Sequence, residues 1–206
     1  MSADLPNIIW VDCEMTGLDI QNDALVEIAV LVTDAQLNVL GTGVDLVIKC
    51  DPEKLANMQQ VVIDMHTSSG LIKEIPNGVS LGEADDAIIA YLKKYAPAEG
   101  KSPLAGNSVY VDRAFIARDL PLLNKYLHYR TIDVSTIKEL ARRWHPKTYF
   151  SAPAKDGNHR ALGDIRDSKA MIRQIPSTSL YLFSYLLITA WLGKKYCAAV
   201  VIKLCN

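Results

Sequence analysis

The sequence lacks an excess of positive charge. It contains 22 Lys and Arg residues against 23 Asp and Glu residues, whereas proteins that grip long nucleic acids carry a broad positive field. A long duplex is therefore not an expected partner. Small basic patches such as Lys93-Lys94 and Arg142-Arg143 are interpreted as solvated helix faces.

Cysteine is scarce and not arranged for bonding. The chain has no C-x-x-C pair and no zinc-like spacing of cysteine with histidine. We therefore expect reduced thiols in a cytoplasmic protein. The opening residues MSADLPN lack a basic region followed by an apolar core, so no signal peptide is expected. Repeats and low-complexity linkers are also missing, and the 206 residues suit one domain with a sizeable core.

Two acidic residues follow directly on a strongly apolar run. Ile8 to Val11 predicts a buried strand that leads into Asp12 and Glu14. Because strand side chains alternate, both carboxylates are expected on one face. Burying two acids is unfavourable without a compensating cation or donor, and no Lys or Arg precedes Lys49. A bound divalent metal explains the pair, and an ordinary solvated strand edge is the alternative.

Three further candidates come later in the chain. Asp112 precedes a predicted helix at Arg113 to Arg118, where a surface helix cap is the simpler interpretation. If another helix begins near Arg160, Asp164 projects from its first turns. His159 then stands just before that helix and can face the same pocket. A structural or solvent-exposed histidine is the alternative.

Together these residues predict a two-metal phosphodiesterase site. Two divalent ions about 4 Å apart can activate water and stabilise the departing oxygen. Magnesium and manganese prefer carboxylate oxygens, and a histidine with a pKa of about 6.5 can accept the proton of the attacking water. We therefore predict two Mg²⁺ or Mn²⁺ ions, His159 as general base, and four metal ligands: Asp12, Glu14, Asp112 and Asp164.

Several longer motifs occur in one order from about Asn7 to about Arg173. They are WVDCEMTGLD, MHTSSGL, PLAGNS, YLHYRTIDVSTIKELARRW and HRALGDI. With these motifs the chain resembles the oligoribonucleases, a group of the DEDDh 3′-to-5′ exonucleases. The resemblance implies an α/β, ribonuclease H-like fold with a mixed β-sheet flanked by α-helices. It also implies hydrolysis of short single-stranded RNA, down to dinucleotides, to 5′-mononucleotides.

The resemblance further implies how a short substrate is held. Leu18 occupies the place of a leucine that wedges between two bases, and ordinary turn packing is the alternative. Tyr129 matches an aromatic residue supplied across a dimer, so a homodimer is implied, although core packing is the interpretation without the resemblance. A small cap for the 5′ phosphate is implied at His66, Ser108, Arg130 and Ser135.

The cap residues also have simpler interpretations. Ser108 and Ser135 suit plain caps or turns. Asp133 is expected to cap the following helix or to aid the substrate pocket, and it is not assigned as a metal ligand.

The remaining pattern predicts strands and helices in alternation. Ser80 and Glu83 form a capping box at the start of an amphipathic helix that reaches Tyr95. A second helix is predicted from Ser135 to Trp144. Strands are predicted at Ile8 to Val11, Leu25 to Thr33, Val39 to Ile48, near Leu104, and at Arg130 to Val134.

The matched pattern stops after about Arg173, so we divide the chain into an exonuclease domain, 1–173, and an atypical apolar tail, 174–206. Pro176 is expected to end or kink the helix. Residues Gln174 to Gly193 carry no charge, but the apolar core is short for a membrane span of roughly 20 residues. A membrane span by the tail is therefore not expected, while contact of the tail with a membrane surface stays open.

Three interpretations of the tail stay open. It is a packed interface helix, a membrane-surface segment, or a C-terminus created by a reading-frame change, and the abrupt end of the pattern favours the third. An exposed apolar stretch of this kind also favours aggregation.

Two other functions stay open. One is a proofreading-type single-strand DNA exonuclease with the same five catalytic groups. The other is a catalytically impaired nucleotide-binding protein, if the altered tail disrupts the fold. The intact acids and histidine argue against the second.

Overall fold

The computed structural model of the chain describes residues 5–150 and 160–174. Within these ranges the strands are β1 (Ile8–Met15), β2 (Leu25–Thr33), β3 (Val39–Val47), β4 (Leu104–Gly106) and β5 (Thr131–Asp133). The α-helices are α1 (Pro52–Ala56), α2 (Gln60–Ser68), α3 (Leu71–Glu74), α4 (Leu81–Tyr95), α5 (Tyr110–Asp119), α6 (Pro121–Tyr126), α7 (Val134–Trp144), α8 (Pro146–Phe150) and α9 (Ala161–Gln174). A 3₁₀ helix, Ile75–Asn77, follows α3.

The strands form one mixed sheet in the order β3-β2-β1-β4-β5. β1 is antiparallel to β2, and β2 is antiparallel to β3. β4 is parallel to β1, and β5 is parallel to β4. The predicted α/β fold with a mixed sheet flanked by helices is confirmed. Because β1, β4 and β5 run in one direction, their carboxyl ends meet at one edge, where α/β proteins commonly bind ligands.

The two faces of β1 pack against different helices. Ile9, Val11 and Cys13 belong to the large core that includes residues of α4, α5 and α6. Trp10 lies on the opposite face in a smaller core with Ala161 and Ile165 of α9. Since strand side chains alternate, Asp12 and Glu14 continue the row of Trp10. Both acids therefore face the side of the sheet that α9 covers.

Several predicted boundaries were short by a few residues. β1 continues past Val11 because it stays paired with β2 as far as Met15. The register of this pairing shifts between Glu14 and Met15. α5 begins at Tyr110 rather than Arg113. The capping box of Ser80 and Glu83 is confirmed, with both reciprocal hydrogen bonds present.

Some expectations concern residues outside the described ranges. His159 lies there, as do residues 175–206, while Gln174 is the last residue of α9. The division between residues 173 and 174 therefore stays a prediction. None of the helices that the structure describes combines the length and the apolar character that a membrane span needs.

Candidate active site

Three of the predicted metal ligands converge on the α9 side of the sheet. Carboxylate oxygens of Asp12, Glu14 and Asp164 all lie within 4.8 Å of one another. Strand alternation places the first two on one face, and α9 packs on that face through Ala161 and Ile165. Asp164 stands between these two anchors in sequence, so its side chain is carried to the same place. The convergence follows from the fold rather than from closeness along the chain.

Asp112 reaches the same strand from α5. Its carboxylate Oδ1 accepts a hydrogen bond of 2.8 Å from the backbone N–H of Cys13, the residue between Asp12 and Glu14. Asp112 is buried, and the N-cap of α5 is Val109. The interpretation of Asp112 as a surface helix cap is therefore wrong.

Burial and neighbouring acids raise the pKa of Glu14, and burial raises that of Asp112. Burial, followed by the charge of Glu27 and then those of Asp164 and Asp112, raises the pKa of Glu14 to about 8. Burial also raises the pKa of Asp112 to about 6, although hydrogen bonds from the backbone and from Cys13 oppose the shift. Such a cluster is unfavourable when fully ionised and without a cation.

The donor set fits a hard divalent cation. All of its donors are carboxylate oxygens, which Mg²⁺ and Mn²⁺ prefer. Three of them lie close enough together to share an ion. A bound cation would also replace the protons that the raised pKa values otherwise favour.

No Lys or Arg is close to Asp12 and Glu14 along the chain, but the fold brings one close to Glu14. The Arg160 guanidinium lowers the pKa of Glu14, against the larger effects of burial and neighbouring acids. Its ion-pair partner Glu27 lies directly opposite Glu14 in the β1–β2 ladder. Arg160 stands in the motif HRALGDI and Glu27 in the apolar strand VEIAV, and the sequence pattern assigns a role to neither residue. An acid inside a fully buried strand was the available signal.

Leu18 stands on a turn that Asp23 holds in place. The Asp23 carboxylate accepts hydrogen bonds from the Thr16 hydroxyl at 3.0 Å and from the Asp19 backbone N–H at 2.8 Å. A Cβ atom on Gly17 would lie 2.3 Å from the same carboxylate, so any other residue there would displace the Asp23 side chain from these hydrogen bonds. Leu18 itself is 76% exposed, and ordinary turn packing is therefore the wrong interpretation of it.

A cleft of about 760 Å³ adjoins this turn. Its walls come from the turn that carries Leu18 and from α1 and the start of α2. The exposed side chains of Leu18 and Val61 give it an apolar part. Lys54 also lines the cleft and gives it a positive charge beside Asp19 and Glu53.

The two predicted cap serines are brought together by Asp133. Its Oδ1 atom accepts hydrogen bonds from the Ser108 N–H at 3.0 Å, the Ser135 N–H at 2.8 Å and the Ser135 hydroxyl at 2.7 Å. Ser108 adopts a left-handed backbone with φ of 54°, a conformation that is uncommon for residues other than glycine. The expectation that Asp133 caps α7 is confirmed.

The remaining predicted substrate contacts lie in different surroundings. His66 is buried, and its Nε2 atom is 2.9 Å from the carbonyl oxygen of Met15. Tyr129 is 76% exposed, so core packing is the wrong interpretation of it. The ring of His128 lies 4.3 Å from that of Tyr129, and the Arg130 guanidinium lies 5.4 Å from the Tyr129 ring centre. The three side chains form a surface cluster.

Comparisons with known proteins agree on the family. A family model described as Exonuclease (RNase_T) matches residues 9–171. An oligoribonuclease of Streptomyces griseus is 55% identical over 166 residues, which cover 81% of this chain and 83% of that protein. An oligoribonuclease of Rhodococcus jostii is 56% identical over 162 residues, which cover 78% of this chain and 81% of that protein.

Solved structures agree on the fold. The zinc-bound E. coli ExoI–ssDNA complex superposes with a TM-score of 0.68 at 16% identity, and the match covers 89% of this chain and 43% of that chain. This likeness supports the ribonuclease H-like architecture alone. The chain belongs to the exonuclease family and, within that family, to the oligoribonucleases.

Proposed function

We propose that the protein is a metal-dependent 3′-to-5′ exoribonuclease that hydrolyses short oligoribonucleotides, down to dinucleotides, to 5′-mononucleotides. The convergence of Asp12, Glu14 and Asp164 within 4.8 Å carries this proposal. Their identity as carboxylates suits hydrolysis of a phosphodiester rather than nucleotide binding alone. The high identity to proteins named oligoribonuclease supports the choice of short RNA as substrate.

The metal ligands are proposed to be Asp12, Glu14, Asp112 and Asp164. Bound at these carboxylates, two Mg²⁺ or Mn²⁺ ions would polarise the attacking water and neutralise charge on the departing oxygen. Asp112 also fixes the strand between two of the ligands through its bond to the Cys13 N–H. His159 is proposed to accept the proton of the attacking water.

The substrate-binding residues are proposed to select for length. We propose that Leu18 separates two bases by apolar contact, and its exposure beside the cleft supports this role. Contact with an apolar or aromatic face tolerates any base, so we propose a preference for length rather than sequence. A cap over the 5′ phosphate is proposed at His66, Ser108, Arg130 and Ser135, where the guanidinium offers paired donors.

We also propose a homodimer that works in the cytoplasm. Tyr129 is exposed and lies beside His128 and Arg130 on the surface, which supports a role as a ring offered to a substrate on a partner protomer. Cys13 and Cys50 are free thiols, in keeping with a reducing compartment.

The decisive experiment compares substrates of different length and sugar. Initial rates would be measured with Mg²⁺ and with Mn²⁺ on a 5′-phosphorylated diribonucleotide, a ten-nucleotide RNA and the matching DNAs. We expect the diribonucleotide to be cleaved fastest and chelation to abolish turnover. Faster cleavage of the long DNA would instead support a proofreading-type DNA exonuclease.

A single variant tests the site assignment in the same assay. Asp112→Ala removes one proposed ligand and is expected to lower kcat by more than the roughly 10- to 100-fold that the loss of a residue supporting a metal ligand costs. Full metal-dependent activity in this variant would contradict the assignment. A matched control is Asp86→Ala, because Asp86 is exposed on α4 and this helix packs on the other face of the sheet.

A further inference from the structure

The first turn of α9 is fastened to the sheet and to α3 by an arrangement of charges. The Arg160 Nε–H donates to Glu27 Oε1 at 2.7 Å. The other end of the same guanidinium donates to both carboxylate oxygens of Glu74, at 3.0 and 3.1 Å. Arg160 immediately precedes α9 in sequence. It therefore joins Glu27 of β2 and Glu74, the last residue of α3, to the start of α9.

Glu27 makes a second contact that reaches the helix itself. Its other oxygen, Oε2, accepts a hydrogen bond of 3.2 Å from the Ala161 N–H. The first N–H groups of a helix lack partners within the helix, and a carboxylate there stabilises the positive end of the helix dipole. Glu27 thus acts as an N-terminal cap supplied from β2. Its side chain is fully buried, so both oxygens depend on these partners.

The same contacts lead to the last proposed metal ligand. The backbone carbonyl of Arg160 accepts the N–H of Asp164 at 3.1 Å. At the other end, Glu27 is the direct cross-strand partner of Glu14 in the β1–β2 ladder. A single carboxylate therefore links the strand bearing Glu14 to the helical turn bearing Asp164.

We propose that Glu27, Arg160 and Glu74 form a positioning clamp that sets Asp164 against Asp12 and Glu14 for metal binding. None of the three clamp residues is proposed to touch the ion or the substrate. The clamp acts through α9, so its loss weakens metal binding while leaving the recognition of bases and 5′ phosphate intact. The inference rests on the proposed nuclease function for its kinetic readout but not for its binding readout.

The test uses two clamp variants and one matched control. Glu27→Gln keeps the side-chain shape but cannot accept at both oxygens, and Glu74→Gln weakens only the half-exposed outer pair. Glu99→Gln is the control, because it weakens an exposed 3.6 Å ion pair with Lys125. Should Glu27→Gln fail to fold, Glu74→Gln still tests the clamp.

Three measurements apply to each variant of the full chain. Mn²⁺ binding without substrate should weaken by about 10- to 100-fold in Glu27→Gln and by a smaller factor in Glu74→Gln. Amide hydrogen exchange at Gly163 and Asp164 should speed up in the metal-free clamp variants. With a 5′-phosphorylated diribonucleotide, kcat should fall at low Mn²⁺ and recover at high Mn²⁺, while KM stays unchanged. The control should match the wild type throughout.

The outcomes separate the clamp from the proposed function. Clamp variants with wild-type Mn²⁺ affinity and wild-type exchange at α9 would overturn the clamp. A changed KM with unchanged metal affinity would also overturn it, because it would assign these residues to substrate binding. If the wild type binds Mn²⁺ but cleaves no RNA, the proposed function fails, and the binding and exchange measurements still decide the clamp.

Discussion

Glu14 is a proposed metal ligand whose buried position and acidic neighbours oppose its ionisation. Burial and three neighbouring acids raise the pKa of its carboxyl group to about 8, well above the ordinary 4.5. A group whose pKa is raised by folding holds its proton more tightly in the native state than in the unfolded chain. Below about pH 4.5 both states are protonated and no stability is lost. Between about pH 4.5 and 8 the unfolded chain ionises this group while the native state keeps its proton, so the native state loses stability progressively over this range and loses no more above it.

We therefore predict that Glu14→Gln stabilises the metal-free protein in a pH-dependent way. Near pH 4.5 the melting temperatures of the wild type and the variant should be similar, and the variant should melt at increasingly higher temperature as the pH approaches 8. Thermal unfolding in chelator across this range measures the difference. Adding Mg²⁺ at pH 8 should raise the melting temperature of the wild type more than that of the variant. A difference that is constant with pH would contradict the prediction.

At the scale of elements, the sequence predicts the acidic residues of the site but not the contacts that hold their strands and helices in place. A strand that ends in Asp12 and Glu14 is visible as an apolar run followed by alternating acids. The contacts that fix these elements join residues far apart in sequence, such as Glu27 to Arg160 and Asp133 to Ser108. Local periodicity carries no information about such pairs, because they form only when the sheet order brings the elements together.

Asp133 connects two elements that carry residues of the proposed phosphate cap. One of its oxygens holds the loop after β4 through Ser108 and the start of α7 through Ser135. We predict that Asp133→Ala reduces the preference for a 5′-phosphorylated over an unphosphorylated diribonucleotide by about tenfold, since both serines lose their common anchor. The ratio of the two kcat/KM values measures this preference.

Ser80→Ala is the matched control for that experiment. It also removes a helix N-cap, at the start of α4, and is expected to cost about 1 kcal/mol of stability, as is the loss of the cap at α7. The control should leave the phosphate preference unchanged. An equal loss of preference in both variants would mean that reduced stability, rather than the cap, causes the effect.

The whole molecule carries almost no net charge, with 22 basic against 23 acidic residues. A protein that binds a long nucleic acid releases many counterions, so its affinity falls steeply with salt. For single strands the slope is roughly −0.7 for each phosphate neutralised, and a 5′-phosphorylated dinucleotide offers two phosphates. Its kcat/KM should therefore fall by less than about tenfold between 50 and 200 mM salt. Rates measured at fixed Mn²⁺ over this range test the prediction, and a fall of a thousandfold would indicate an extended phosphate-binding surface and a longer natural substrate.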